Sequence, residues 1–229
     1  MKRVAILQSN YIPWKGYFEI IAAVDEFILY DDMQFTKNDW RNRNRIKTPK
    51  GTSWLSIPVG SDIRRRIRDV QLPLTTWAEE HWKILTLNYR SATCFDEIAQ
   101  WLAPIYLENR CPDLSSFNRK LIESVCQYLG IRTAIRNSWD YTLADGKTER
   151  LIDLCRQASG SIYVSGPAAR GYLDESLFRH SGIEVEWVQY GPYLEYSQLW
   201  GPFVHEVSIL DLLFNCGGES ARYMKCSRP

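Results

Sequence analysis

The sequence predicts an α/β fold, a parallel and doubly wound sheet of the Rossmann-like kind with a helical middle region. Two observations carry this. In the first and last parts of the chain, short apolar runs closed by polar or turn residues alternate with helix-patterned stretches, the order that builds a parallel sheet covered by helices. Between them, from about residue 77 to 129, helical periodicity runs on without a strand signal. A chain of 229 residues can bury a full core without disulfides or metals, and one domain over 1–229 is the simplest organisation.

Val4-Ala5-Ile6-Leu7 is a short apolar run ended by Gln8, as expected of a buried first strand. Residues 8–16 form a loop punctuated by Pro13 and Gly16. Residues 17–23 put Phe18, Ile21 and Ala22 on one helical face, and Asp25 breaks the pattern before a second strand, Glu26-Phe27-Ile28-Leu29-Tyr30. Strand, helix and strand make one βαβ unit with a right-handed crossover. Pro49-Lys50-Gly51 turns between extended pieces at 44–48 and 53–59, a hairpin suited to a sheet edge. Residues 77–89, 94–107 and 114–129 are helical, and Gly130 stands where a helix C-cap is expected. Strands follow at 131–136, 161–165 and 183–189, with helices at 148–158 and 173–180; the tail beyond Gly217-Gly218 carries no pattern.

Composition narrows the function classes. With 28 basic and 27 acidic side chains, the charge balance gives no general reason to expect nucleic acid or an acidic membrane surface as a partner. No stretch reaches the ~20 apolar residues of a membrane helix, and the apolar run after Met1-Lys2-Arg3 is too short for a signal-peptide core. A cytoplasmic location is therefore expected. The six cysteines (Cys94, Cys111, Cys126, Cys155, Cys216, Cys226) form no C-x-x-C pair and have no histidine at zinc-ligand spacing, so they read as free thiols and no metal centre is expected. Nine tryptophans and thirteen tyrosines exceed what a core needs, and suit a binding cleft as readily as packing.

The chemistry is expected on the polar, aromatic-rich segment after the first strand, which holds Gln8, Ser9, Asn10, Tyr11, Trp14, Lys15 and Tyr17. Ligands of open parallel sheets bind outside the carboxyl ends of the strands. Strand one delivers Gln8, Asn10 and Tyr11 there, and strand two delivers Asp31, Asp32 and Gln34. Asp31 and Asp32 read as turn caps, as a base or hydrogen-bond acceptor that orients an amine or hydroxyl, or as a carboxylate pair able to hold Mg²⁺ beside a phosphate. Arg41, Arg43, Arg45 and Lys47 alternate, so an extended segment projects them to one face, where they form either a clamp for phosphate or a basic edge strand. Of the histidines, His81 reads as structural, His180 as a helix-end residue and His205, after the aromatic Gly/Pro-rich stretch 190–203, as a candidate base. Gly166, in the turn Gly166-Pro167-Ala168-Ala169-Arg170-Gly171 between a strand and a helix, can present backbone N–H groups to an anion.

Taken together, these segments resemble the WbqC-like family. The resemblance rests on Leu7-Gln8-Ser9-Asn10-Tyr11-Ile12-Pro13-Trp14-Lys15-Gly16-Tyr17-Phe18, on Asp31-Asp32-Met33-Gln34-Phe35, on Arg41-Asn42-Arg43-Asn44-Arg45-Ile46-Lys47, on Tyr163-Val164-Ser165-Gly166 and on Leu210-Asp211-Leu212-Leu213-Phe214-Asn215-Cys216-Gly217, in order along nearly the whole chain. The family has Gln-Pro-Asn-Tyr where this chain has Gln8-Ser9-Asn10-Tyr11. A fainter similarity links Trp14-Lys15-Gly16-Tyr17 and Gln34-Phe35 to the start of pantothenate synthetase-like nucleotidyltransferases, which implies a nucleotidyltransferase-like fold, although the two histidines of their His-x-Gly-His signature are absent.

The family resemblance implies acyl or aminoacyl (glycyl-type) transfer onto an amino acceptor in surface-polysaccharide or natural-product biosynthesis. On that reading the donor is a phosphopantetheine thioester or nucleotide-linked, free or on an acyl/peptidyl carrier protein, and no resident cofactor is required. Its phosphates would meet Arg41, Arg43 and Lys47, Asp32 or His205 would take the amine's proton, and Gln8, Asn10 and Tyr11 would orient the carbonyl. Two alternatives stand beside it: a nucleotide-dependent ligase or nucleotidyltransferase with altered catalytic residues, and a non-catalytic protein that binds a carrier or nucleotide-sugar.

Overall fold

Period-two alternation along the strands sorts their side chains onto two faces, and both faces are covered. A computed structural model describes residues 1–225. Strands β1 (Arg3–Leu7), β2 (Glu26–Leu29), β5 (Ala134–Asn137), β6 (Ile162–Ser165) and β7 (Glu184–Trp187) form an all-parallel sheet in the order β5-β2-β1-β6-β7. On one face Ala5, Phe27, Leu29 and Val164 join a large core with α1 (Lys15–Ala22), α2 (Trp77–Tyr89), α3 (Phe95–Leu107), α4 (Leu114–Tyr128) and α7 (Ile209–Cys216). On the other, Val4, Ile6, Ile28 and Tyr163 pack with α5 (Thr148–Gln157) and α6 (Glu175–His180). The fold is α/β and doubly wound, and the helical middle falls at α2, α3 and α4.

The chain leaves β1 towards β2 and β5, then returns across the sheet to add β6 and β7 on the other side. The topological switch point therefore lies between β1 and β6, where a crevice outside the carboxyl ends is the ordinary ligand position. The β1–β6 ladder is short: it joins Arg3 to Ile162 and Val4 to Tyr163. Beyond it the carboxyl ends bond outward, the Leu7 carbonyl to Tyr30 N–H and the Ser165 carbonyl to Val188 N–H.

The hairpin of β3 (Arg43–Thr48) and β4 (Gly51–Ser56) corrects one expectation: it makes its own two-stranded antiparallel sheet and joins no edge of the main one. It is held instead by Asn44, whose side chain donates to the carbonyls of Tyr11 and Ile12 at 3.1 and 2.9 Å. The tail also departs from its expectation, because residues 217–223 wind into 3-10 turns against α7. Cys226 lies outside the described residues. The described cysteines form no disulfide, and no described helix is long and apolar enough to cross a membrane.

Candidate functional site

The loop from β1 to α1 is built under tension. Ile12 has φ 37°, a left-handed conformation that a β-branched residue rarely adopts, and it is buried. The grip of Asn44 on both neighbouring carbonyls holds it there. Gly16 is glycine for a spatial reason: a Cβ would stand 2.3 Å from the Trp14 ring, which folds back over the first turn of α1. No side chain caps that helix end and its first turn has no acid, so the positive end of its dipole lies at the switch point with no carboxylate of its own turn.

Over this helix end lies the segment 188–208, which runs from β7 back to α7. Gly166 meets Tyr190, whose hydroxyl would be 3.3 Å from an added Cβ. The Tyr190 ring packs edge-on against Trp14 at 5.0 Å, and Tyr193 packs on Trp14 at 6.2 Å. The Lys15 ammonium sits 4.1 Å from the centre of the Tyr193 ring and donates to the Tyr223 carbonyl at 3.1 Å. Burial lowers the Lys15 pKa, while Glu19 and the Cys216 thiol work against that. His205 packs between Phe203 and Tyr193, at 4.6 and 5.9 Å. Its pKa is lowered, first by burial and then by the Lys15 charge, so the imidazole is neutral at pH 7. Its Nδ1 is buried without a hydrogen-bond partner. A neutral histidine with a free buried nitrogen is equipped to take a proton.

A buried network fastens the segment. Asp211 accepts from Tyr89 at 2.9 Å, Tyr196 at 2.6 Å and Gln198 at 2.7 Å. Gln198 in turn accepts from Lys47 at 3.0 Å, and Lys47 also donates to the carbonyls of Trp200 (2.6 Å) and Pro202. Burial raises the Asp211 pKa, and the three hydrogen bonds and Lys47 oppose it.

The residues expected to form one site are scattered over several places. Asp31 is fully enclosed: it accepts from Ser9 N–H at 2.7 Å and from the Ser115 hydroxyl, and burial raises its pKa. With both oxygens engaged in the wall it ties α4 to the loop after β1 and offers no approach to an amine. Asp32 faces the ends of β2 and β5, paired with Arg68 at 3.0 Å and Arg66 at 3.5 Å and bonded by Ser138 at 2.7 Å. Arg66 and Arg68 are thus tied to Asp32 and are not free surface charges. Gln34 donates to the Ile63 carbonyl nearby.

Lys47 is a fastening, its ammonium already bonded to three oxygens. Tyr11 is buried in a chain with His81 Nδ1 at 2.8 Å and Tyr106 at 2.7 Å, and Tyr17 spends its hydroxyl on the Gln8 carbonyl. Arg41 lies inward, with Nη1 3.4 Å from the Ser9 carbonyl, so it does not share the open face of Arg43. Arg43 stacks over Trp54 at 4.1 Å. Gln8, Asn10, Trp14, Lys15, His205 and Gly166 remain around the switch point. Sequence reading missed Tyr190 and Tyr193 as individual site residues; the tyrosine surplus was their one signal.

Cavities of about 620 and 390 Å³ lie at the opposite edge of the sheet, around Asp25, Gly130, Ile131 and Thr133. Neither touches Gln8, Asp32 or Arg43. Among the described residues no cluster of three or more His, Cys, Asp or Glu could hold a metal.

The sequence profile of the WbqC-like protein family matches residues 8–223. The chain is 57% identical over 230 residues to a Mycobacterium tuberculosis (strain ATCC 25618 / H37Rv) protein named "Uncharacterized protein Rv1507c", covering 100% of both chains. No solved structure matches it.

Proposed function

The chain belongs to the WbqC-like protein family, and from that premise we propose that it transfers an acyl or aminoacyl group to an amine, forming an amide, in the crevice between the ends of β1 and β6. The observation that carries this reading is the neutral His205 with its unpartnered, buried Nδ1 beside Lys15. An amine attacking a carbonyl must lose a proton, and this is a base already in its acceptor form at neutral pH. The amine nitrogen bonds to the carbonyl carbon, His205 takes the amine proton, and the C–S or C–O bond to the donor breaks. The same proton can then pass to the leaving thiolate or alkoxide. No covalent enzyme intermediate is needed, because a thioester is reactive and holding both partners together supplies much of the rate.

Lys15 serves twice on this reading. Its charge adds to burial in lowering the His205 pKa, and together with the N-terminus of α1 it favours the oxyanion of the tetrahedral intermediate. Cys216 and Cys155 are poor nucleophile candidates: burial pushes their thiols to about 11 and about 12. The uncapped α1 end also supports the second reading, a nucleotide-dependent ligase, since helix N-termini bind phosphate. Mass spectrometry of transfer from thioester donors to a panel of amines, with pyrophosphate release followed in parallel, separates the two. His205→Gln is expected to lower kcat by about 10²–10⁴-fold with donor binding intact; full activity in that variant would end the base assignment.

A further inference from the structure

The hairpin carries a feature that the reaction scheme leaves unused. Trp40 and Trp54 are 40% and 45% exposed, with ring centres 5.4 Å apart. The Arg43 guanidinium lies 4.1 Å above Trp54, and Arg45 reaches the same ring at 5.9 Å. Arg43 enters no side-chain hydrogen bond or ion pair among the described residues, and its Nε is buried with no partner. Arg45 also has a buried Nε without a partner, and its other end pairs with Glu206 at 3.1 Å. A bare edge hairpin is ordinarily protected by charge, and two large exposed indoles do the opposite. Two flat π-faces beside guanidinium groups with open donors match an aromatic base joined to phosphate.

We propose that Trp40, Trp54, Arg43 and Arg45 form a stacking platform for the base of a nucleoside diphosphate moiety, the base lying on the indoles and the phosphates on the arginines. Glu206, the partner of Arg45, follows His205 directly in sequence, so the far end of such a ligand leads towards the crevice. The proposal rests on the transferase reading for what the ligand is, a donor activated through a nucleotide-bearing group. Coenzyme A and a nucleotide-linked acyl or sugar donor share this chemistry.

Isothermal titration calorimetry on the full chain with ADP, UDP, coenzyme A, 4′-phosphopantetheine and inorganic pyrophosphate tests it. The nucleotides are expected to bind at least about tenfold more tightly than pyrophosphate, since base stacking on an aromatic face is worth that much. Trp54→Ala should erase the difference, Trp54→Phe should keep most of it, and Arg43→Ala should weaken ADP and pyrophosphate together. A preference for coenzyme A over ADP and UDP points to a thioester donor; preference for a particular nucleoside diphosphate points to a nucleotide-linked one.

Equal affinity for ADP and pyrophosphate, or unchanged ADP affinity in Trp54→Ala with the fold intact by circular dichroism, overturns the platform. The two readings fail separately. Trp54-dependent nucleotide binding without any acyl transfer keeps the platform and removes the transferase. Transfer at equal efficiency from donors with and without a base does the reverse.

Discussion

Acidification should destabilise this protein through one residue, His81. It is buried on α2 with both ring nitrogens engaged. Nε2 lies 3.1 Å from the Ser56 carbonyl, which can only accept, so Nε2 carries the proton. Nδ1 therefore accepts from Tyr11, and Tyr11 from Tyr106. A second proton on the ring reverses the direction of that chain in a dry interior, and burial lowers the His81 pKa to about 4 from an ordinary 6.5. Between those two values the unfolded chain binds the proton and the folded chain does not. Stability from this residue is thus complete above about pH 6.5 and is lost as the pH falls towards 4, a total of about 3 kcal/mol. The assay is urea denaturation of the wild type and of His81→Gln across that interval. Glutamine can still donate to Ser56 and accept from Tyr11, but it does not titrate. Asp31 and Asp211, whose raised pKa values act in the opposite sense, are common to both proteins and cancel in the difference. A stability difference that stays constant from about pH 8 to about pH 4 would refute the reasoning.

Two further outcomes follow from the site. Lys47→Met strips the donor from Gln198, Trp200 and Pro202, and should cost ~1–3 kcal/mol in denaturant while speeding proteolysis within 198–202; equal cleavage rates would refute its fastening role. If His205 is the base, activity rises with pH on an acid limb below pH 6.5, and Lys15→Gln moves that limb to higher pH by removing the neighbouring cation; a limb that stays put would separate Lys15 from the His205 titration.

The fold was legible because its signals are local. Val4–Leu7 and residues 27–29 of the second strand are apolar on both faces, as covered parallel strands must be, and the helices of the middle region show their period plainly. The site was legible only in part. Alternation of Arg43, Arg45 and Lys47 fixed which face they share but not what covers it: the end of β3 bearing Lys47 lies beneath residues 198–202, and the Arg43 end stays open beside Trp54. Adjacent carboxylates at 31 and 32 looked like a pair, yet successive residues point apart, and one meets Ser115 while the other meets Arg66 and Arg68. No local pattern could have joined Lys47 to Gln198 or Tyr89 to Asp211, contacts separated by 151 and 122 residues.

That long-range network bears on why the segment over α1 is placed as it is. Burying a carboxylate and an ammonium is seldom the most stable choice, since their desolvation offsets what they gain from each other. Here they do not even touch directly: Gln198 stands between Asp211 and Lys47, accepting from one and donating to the other. What the arrangement secures is position. Tyr196 and Gln198 reach Asp211 on α7, the 200 and 202 carbonyls reach Lys47 on β3, and the Ser208 N–H closes on the Arg45 carbonyl. These ties fix both sides of the short stretch that holds Phe203 and His205. An imidazole kept neutral by burial loses that state if the cover lifts, because water would solvate its charged form. The buried ions therefore make most sense as the fastening that holds the stretch bearing Phe203 and His205 over the start of α1.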